Sequence, residues 1–313
     1  MIEPDWSGGV REAMDFASRI FASRDGTERR RALRSVPRRS LEFATLDDRG
    51  RARAIARSLL ARDARPDALA DPIGALGTVV EGRYAASTAL GWATDRVLQA
   101  RVRFEQAPGS PIPLVEGAAL PTLGGLPLLD LDPDWSRAVE AGHDLPVETA
   151  DEGAAVAFYT APRAPRLTIA LEHVGDRAEV GAVRSLFLAL RGRWGEAHVP
   201  TWTADLRLAA PLVQGDGTLL VDGVGAWRFS AVHLALLDGR RLARRVVGSA
   251  PEGGMTRLAL ASPATLSCEP AEVDRLGWAP RCRLASDELS IEWITDAVGR
   301  VGTTWITLDA ERA

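Results

Sequence analysis

The sequence contains neither lysine nor asparagine, so all 38 of its Lys and Arg residues are arginine. Without lysine the chain has no P-loop lysine, no pyridoxal Schiff-base lysine and no strand lysine of a kinase. Without asparagine it has no N-glycosylation acceptor and no Cys-His-Asn triad. These absences exclude several large enzyme classes before any motif is considered.

Histidine and cysteine are scarce as well. The four histidines are at least 25 residues apart, which excludes an H-E-x-x-H zinc motif. The two cysteines, Cys268 and Cys282, cannot supply a four-thiolate metal site, and we expect both to be buried thiols. We therefore predict no metal ligands, no cofactor and no catalytic residues. Since no signal segment or long apolar run is present, we expect no membrane span and folding in a cytoplasm.

Charge is unevenly distributed along the chain. Residues 1–65 hold 15 arginines and 10 acidic residues, whereas residues 108–162 hold one arginine and nine acidic residues. The acidic segment is also rich in proline and glycine, which disfavours a long helix or a central strand. We interpret residues 108–162 as a connector that runs over a surface and is anchored by Trp135.

Two charged stretches resemble binding motifs only partly. Asp130, Asp132 and Asp134 begin like a calcium loop, but its glycine and its last glutamate are missing, so we expect a solvated acidic turn. The arginine run over residues 29–39 could neutralise phosphates. However, acidic residues are interleaved with it and the sequence pI is about 5.7, so sequence-specific DNA binding is not favoured.

A strand–turn–helix pattern occurs twice. After Pro37-Arg38, alternating apolar residues at Leu41 and Phe43 precede a turn and a helix near residues 57–60. After Pro165-Arg166, three alternating apolar residues precede a turn and a helix near residues 184–187, with Gly192 as its stop. We therefore predict an internal duplication.

A shared closing motif, W-x-T-D-x-V, supports the duplication. It occurs at Trp92 to Val97 and again at Trp293 to Val298. We expect Asp95 and Asp296 to hydrogen-bond the turn that follows each tryptophan. The second copy holds about 74 more residues between helix and motif than the first (201 minus 127).

The additional residues, about 198–284, alternate short apolar runs with Asp-Gly turns, so they predict a small inserted β domain. The fold class is therefore α+β and β-rich. We divide the chain into a first unit (1–107), the connector (108–162), a second unit (163–197 and 285–313) and an inserted β-barrel-like domain (198–284).

The strings DGTERRRALRSVPRRSLEF (25–43), RSLFLALRGRWGEAHVPTWTADLRL (184–208) and RCRLASDELSIEWITDAVGRVGTTWITL (281–308) resemble tail-tip proteins of long-tailed phages and prophages. Pro200, Trp202 and Asp205 stand at the family's V-P-x-W-T-x-D-L motif. The resemblance covers most of the chain outside the connector and the first twenty residues. The first copy departs from the pattern, because no V-P-x-W follows its helix.

The resemblance implies a tail-tube-like β-barrel or sandwich plus helix in each unit, and a structural virion role. The protein would form a ring at the distal end of the tail tube, a distal tail or hub protein, after assembly in the host cytoplasm. Its partners would be the tube protein and other tail-tip proteins, with DNA passing through the lumen. Two units per chain favour a trimer with pseudo-six-fold symmetry over a hexamer.

Two alternatives remain open. The inserted domain could bind a glycan or receptor through exposed tryptophans, or acidic pairs such as Asp205 with Glu196, or Asp287 with Glu288, could hydrolyse cell-wall glycan. No nucleophile or nucleotide motif supports an enzyme, so we favour a structural role. In that role we expect a set of large aromatic and turn residues to fill cores or subunit contacts: Trp92, Asp95, Pro200, Trp202, Asp205, Trp293, Asp296 and Trp305.

Overall fold

A computed structural model gives the fold of the chain. It describes residues 4–23, 27–48, 67–74, 78–84, 89–92, 94, 97–113, 115–144, 147–151, 156–160, 166–223 and 229–308. Antiparallel strands dominate these ranges, and they contain a single α-helix. The coarse prediction of a β-rich α+β chain is confirmed. The helix predicted near residues 57–60 lies outside the described residues.

The N-terminal part forms eight strands. They are β1 (Val10–Asp15), β2 (Ser18–Ala22), β3 (Glu28–Ala32), β4 (Arg38–Asp48), β5 (Asp67–Ala70), β6 (Val79–Tyr84), β7 (Ala89–Trp92) and β8 (Val97–Gln106). A short 3-10 turn, Trp6–Gly8, precedes β1. Leu41 and Phe43 are both buried on one face of β4, as their alternation predicts.

Residues 107–160 form a long loop and five short strands. These are β9 (Thr122–Leu123), β10 (Leu126–Pro127), β11 (Glu140–Asp144), β12 (Val147–Asp151) and β13 (Val156–Thr160). All five lie within the residues assigned to the connector. Strand β11 pairs with an edge of the main sheet, and β12 pairs with β13 as a hairpin.

The C-terminal part contains the helix and the remaining strands of the main sheet. They are β14 (Arg166–Asp176), α1 (Arg177–Leu190), β15 (Ala197–His198), β21 (Arg281–Leu284), β22 (Glu288–Trp293) and β23 (Val298–Thr307). Asp176 caps α1 in a reciprocal box with Glu179. Arg191 in the left-handed conformation (φ 55°) and Gly192 (φ 65°) end it, close to the predicted stop.

The inserted residues form a five-stranded antiparallel sheet. Its strands are β16 (Thr218–Asp222), β17 (Ala231–Leu236), β18 (Arg241–Glu252), β19 (Met255–Leu260) and β20 (Val273–Trp278), in the order β16-β19-β18-β17-β20. Most of the predicted apolar runs are confirmed as strands, and the Asp238-Gly239 turn joins β17 to β18. The run at 227–230 lies partly outside the described residues, and β20 was not predicted.

One long sheet runs through both halves of the chain. Its order is β11-β14-β23-β22-β1-β4-β8-β6-β5, with β7 on β8, β21 on β23 and β15 on β21. One face is buried under α1 and the loop after β8, and carries the main core. Val10, Phe43, Val102, Ile291 and Trp305 lie on this face and are at most 2% exposed.

The strands of this sheet fall into two groups, and the strands of one group correspond in order to those of the other. We name β1–β8 the first strand set, and β11–β15 with β21–β23 the second strand set. Strands β4 and β14 have equal length at an offset of 128 residues (166 minus 38), and β8 and β23 at an offset of 201 (298 minus 97). The hairpins β2–β3 and β12–β13 match in the same way, at offsets of 129 and 128 (147 minus 18 and 156 minus 28).

Pairing registers match as well. Leu41 lies opposite Phe104 in β4 and β8, and Ile169 lies opposite Trp305 in β14 and β23. Other paired positions repeat at corresponding offsets: Asp15–Arg38 with Asp144–Arg166, Ala68–Glu81 with His198–Arg281, Tyr84–Phe104 with Leu284–Trp305, and Gly91–Gln99 with Glu292–Arg300. Every strand pair within the first set therefore has a counterpart in the second.

Candidate functional site

The two W-x-T-D-x-V motifs form turns at the same place in the two strand sets. Each motif joins a tryptophan that ends one strand (β7 or β22) to a valine that begins the next (β8 or β23). In both turns the threonine hydroxyl, of Thr94 or Thr295, accepts a hydrogen bond from the valine amide at 3.0 Å. The motif therefore specifies a hairpin turn.

The aspartates of these motifs do not have the predicted role where the structure describes them. The side chain of Thr295 accepts the turn's hydrogen bonds, whereas Asp296 is exposed and contributes its carbonyl to Arg177 Nη1 at 2.9 Å. Threonine can accept these bonds because its short side chain places the hydroxyl close to the amides of the turn. Asp95 lies outside the described residues, and of Trp92 only the backbone is described.

Trp293 and Trp305 are core residues, each 1% exposed. The Trp305 indole donates to Thr303 Oγ1 at 2.9 Å, and the Trp293 indole donates to Glu12 Oε2 at 3.3 Å. Both polar tips are therefore satisfied inside the chain, as buried tryptophans require. Trp293 contributes to the junction of the two strand sets through Glu12 of β1, whereas Trp305 lies opposite Ile169 and Leu284 within the second strand set.

A buried ion network occupies this junction. Glu12 of β1 is 0% exposed and lies between two arginines, Arg39 of β4 and Arg184 of α1. Arg39 Nε is 2.5 Å from Glu12 Oε1, and Arg184 donates to both carboxylate oxygens at 2.9–3.2 Å. Arg39 also holds Asp71 at 2.6 Å. These bonds join the two strand sets through their core.

The network keeps Glu12 ionised. Burial acts to raise its pKa, but the positive charges of Arg39 and Arg184 and their hydrogen bonds outweigh burial and lower the pKa to about 2. Arg39 in turn has a raised pKa, because Glu12 and Asp71 outweigh its own burial. A charge group that is fully paired in this way joins elements firmly, and its members are costly to remove singly.

A second ion cluster holds the β2–β3 hairpin against the second strand set. Glu28 of β3 accepts from Arg283 Nε at 2.8 Å and Nη2 at 3.0 Å, and it also pairs with Arg166. Burial acts to raise the pKa of Glu28, but the two arginines lower it to about 2. Arg30 donates to the Trp194 carbonyl at 3.0 Å and pairs with Glu196. Part of the arginine-rich run is thus internal.

The predicted Pro200-Trp202-Asp205 segment connects the main sheet to the inserted sheet. Pro200 is buried. Asp205 accepts from Thr201 Oγ1 at 2.6 Å, Thr203 Oγ1 at 2.7 Å and the Trp278 amide at 3.1 Å. Trp202 is 4% exposed and has a positive φ of 58°. These bonds fix the first residues of the insertion to its last strand, β20.

Trp202 and the acidic turn meet at this joint. The Trp202 ring lies edge-on to His233 at 5.1 Å and to Trp135 at 6.3 Å. Asp130 accepts from His233 Nε2 at 2.9 Å and Arg241 Nη1 at 3.0 Å, which lower its pKa against the effect of burial. The prediction of a merely solvated acidic turn is therefore wrong for Asp130. Trp135 is 46% exposed and has Arg275 over its ring at 3.9 Å, and its role as the anchor of the connector stays a prediction.

The residues named for the two alternative functions have structural roles. Trp202 and Trp278 are 4% and 1% exposed, so their rings are not available to stack on a sugar; Trp227 lies outside the described residues. Asp287 accepts from the Ser18 amide at 2.7 Å and from the Arg193 amide at 2.9 Å. These bonds lower its pKa against the effect of burial, which is unfavourable for a general acid.

The sheet face opposite the core carries a row of charges, which we name the charged face. Paired or diagonal positions across six strands alternate in sign, in the order Arg103, Glu42, Arg11, Glu292, Arg300 and Glu172. The Arg300–Glu172 pair is 3.2 Å apart and the Arg101–Glu42 pair 3.5 Å. An open groove of about 960 Å³ crosses this face from Arg101 to Arg300.

Within the described ranges, no group of three His, Cys, Asp or Glu side chains is arranged to hold a metal ion. Both cysteines are buried and unbonded to each other, as predicted. The helix that the structure describes is too short and too polar to cross a bilayer. No family model and no curated protein sequence matches the chain.

Glu12, Arg39 and Glu28 were not predicted as joining residues. A signal for Glu12 is present, since it lies between Val10 and Met14 on the core-facing side of a period-two pattern. An acidic residue at such a position requires a buried partner. The partner itself, Arg184, lies 172 residues away, and local patterns do not identify it.

Proposed function

We propose that the chain is a tandem duplication whose two tail-tube-like units build a ring at the distal end of a phage tail tube. The observation that carries the duplication is the repetition of strand bounds and pairing registers between the two strand sets. Six strands of the sheet and one hairpin repeat with offsets that change by two residues or fewer, apart from one step of 70 residues (200 minus 130). That step lies where the inserted sheet begins and ends.

A chain of two equivalent units supplies two adjacent segments of a ring. Three chains then give six units with pseudo-six-fold symmetry, whereas a hexamer of chains would give twelve units. We favour the trimer, because six units match the six-fold symmetry expected of a tail tube. In this arrangement the tube protein and other tail-tip proteins contact the ring above and below.

The charged face is suited to line the ring's channel. Clustered arginines bind DNA phosphates and release counterions, so a uniformly basic lining would retain DNA. Here arginine and glutamate alternate across six strands, and Arg101 and Arg300 pair with neighbouring carboxylates. Such a surface is hydrated and close to neutral, which permits DNA to pass without strong binding.

Purified protein tests the proposal. We expect a three-chain mass by light scattering and a ring with a central opening in negative-stain class averages. We also expect antibodies against the chain to label the tail tip of virions. A monodisperse monomer at high concentration that is absent from virions would refute the proposal.

A further inference from the structure

We propose that β11 and the β12–β13 hairpin of one chain bind the β7 edge and the adjoining groove of a second copy, as β1 and β2–β3 bind β22 within the chain. This inference rests on the proposed duplication and ring. It adds to them a specific surface, a register and the residues that face each other.

The internal contact supplies the geometry. Strand β1 pairs antiparallel with β22, so that Val10 lies opposite Trp293 and Arg11 opposite Glu292. Beside this junction, the β2–β3 hairpin places Glu28 against Arg166 and Arg283. The N-terminal strands of the first set therefore cover one edge and one arginine pair of the second set.

The same features are uncovered in the first set. Among the described residues, β7 pairs only with β8, and β11 pairs only with β14. At offsets of 128 and 200, the counterparts of Arg166 and Arg283 are Arg38 and Arg83. Both are exposed, and neither forms an ion pair in the described part of the chain. An edge and an arginine pair that are covered in one set thus have no partner in the other among the residues that the structure describes.

A groove marks the place where the hairpin would bind. It has a volume of about 830 Å³ and its lining includes Arg38, Gly82, Arg83 and Arg103. Gly82 is the counterpart of Cys282, and Arg83 that of Arg283, both on β21 next to the bound hairpin. The groove therefore lies at the position that β2–β3 occupies in the second set.

The second copy carries the matching hairpin. Strands β12 and β13 are as long as β2 and β3 and pair in the same register, with Asp151 opposite Val156 as Ala22 is opposite Glu28. Val156 is the counterpart of Glu28, so this hairpin has no acidic residue at that position. Its acidic residue is instead Asp151, which pairs with Val156 at the same end of the hairpin. The acidic charge of residues 108–162 is complementary to the two arginines.

The offsets also predict the register of the edge pairing. Val10 corresponds to Val139 and Trp293 to Trp92, so Val139 of one copy lies opposite Trp92 of the next. Glu140 then lies opposite Gly91 on the charged face, where both residues are exposed. Pairing of this kind extends the sheet from chain to chain and satisfies both unpaired edges.

The test is a pair of cysteines on the two edges. In the Gly91→Cys/Glu140→Cys variant, oxidation with copper phenanthroline should form disulfide-linked oligomers, because directly opposite Cβ atoms lie about 4.5–5.5 Å apart. The space around Gly91 accepts a Cβ, and the natural cysteines are buried. The control, Gly91→Cys/Ala141→Cys, places the two thiols on opposite faces of the sheet. It should form at least ten-fold less disulfide-linked oligomer.

Charge reversal gives a second test that does not need cysteines. Asp151→Arg should weaken self-association at least ten-fold, and adding Arg83→Glu should restore most of it. Light scattering on the full chain measures both effects. Restoration by the double change would support the contact of the hairpin with the groove, and its absence would count against it.

The outcomes separate this inference from the proposed function. Rings without preferential cross-linking of the 91/140 pair would refute the edge register and leave the ring in place. Equal cross-linking of the test and control pairs would refute the register as well. A monomer that shows no cross-linking would refute both the contact and the ring.

Discussion

The two strand sets have matching strands but differ in what covers them. The second set is covered by β1 and the β2–β3 hairpin, whereas in the described ranges the first set has no strand on the β7 edge and has a groove at Arg38 and Arg83. The buried ions differ too, since Glu12 corresponds to Ala141 and Arg39 to Leu167. Only the internal junction therefore holds this buried carboxylate between arginines.

In the proposed ring, this difference separates a permanent contact within the chain from a reversible contact between chains. A buried carboxylate with two arginines joins segments that never separate, because exposing the charges singly is costly. The proposed contact between chains has to form from separate subunits, and an apolar alanine at the same position would leave no buried charges to expose on dissociation. The comparison leads to four predictions about stability, given from the largest expected effect to the smallest, and to a fifth about DNA binding.

The largest effect is expected from Glu12→Ala. The substitution leaves Arg39 and Arg184 buried without their shared counter-charge, so the free energy of unfolding should fall by about 3–5 kcal/mol. Urea denaturation followed by tryptophan fluorescence measures the change. The matched control is Arg11→Ala, next in the same strand but exposed, for which less than about 1 kcal/mol is expected. Similar losses in both variants would refute the special role of the internal junction.

Acid should weaken the same junction. The pKa of Glu12 is about 2, below its ordinary value of 4.5. Its contribution to stability is therefore fully present above about pH 4.5 and is lost as pH falls towards 2. From this carboxyl alone we expect a loss of about 3 kcal/mol. In Glu12→Gln the decline of unfolding free energy below pH 5 should be shallower, and an unchanged decline would contradict the assignment.

The alternating pattern predicted part of this architecture. Leu41 with Phe43, and Leu167 with Ile169 and Leu171, indicated the two long strands and their buried faces, because strand periodicity is local. The W-x-T-D-x-V motifs indicated equivalent closing segments. Repetition at a nearly constant offset is visible in sequence when the repeated residues are the same.

The joining residues could not be predicted, since they differ between the two sets. Glu12 meets Arg184 across 172 residues, and Glu28 meets Arg283 across 255. These contacts depend on which edges of the sheet meet, and that is a property of the tertiary fold. The strands β11 to β13 were missed because prolines and glycines surround them and their alternation is short.

A smaller effect is expected from Glu28→Ala, which addresses the second part of the internal contact. Loss of the carboxylate leaves Arg166 and Arg283 without their shared hydrogen-bond acceptor. We therefore expect the free energy of unfolding to fall by about 1–3 kcal/mol. Amide hydrogen exchange of residues 28–32 should accelerate more than that of β4. The matched control, Glu42→Ala, removes an exposed carboxylate from the charged face and should leave the hairpin amides unchanged. Equal exchange in both variants would contradict docking through Glu28.

The smallest effect on stability is expected on the charged face. Glu292 is 3.8 Å from Arg300 Nη1 and its side chain is 60% exposed, and Arg300 keeps Glu172 at 3.2 Å. Glu292→Gln should therefore change the free energy of unfolding by less than about 0.5 kcal/mol. Under the proposed function the charge pattern would matter for DNA instead, because replacing Glu42 and Glu292 with arginine makes the row basic.

We expect the natural chain to bind duplex DNA weakly and this double substitution to give it a salt-dependent affinity, because successive arginines then neutralise phosphates. Fluorescence anisotropy with a labelled duplex at low and high salt measures it. The control reverses two exposed acidic residues of the inserted sheet, Asp222 and Glu252, which keeps the net charge of the two variants equal. DNA binding by the natural chain, or equal binding by both variants, would show that the alternation on the charged face does not prevent retention of DNA.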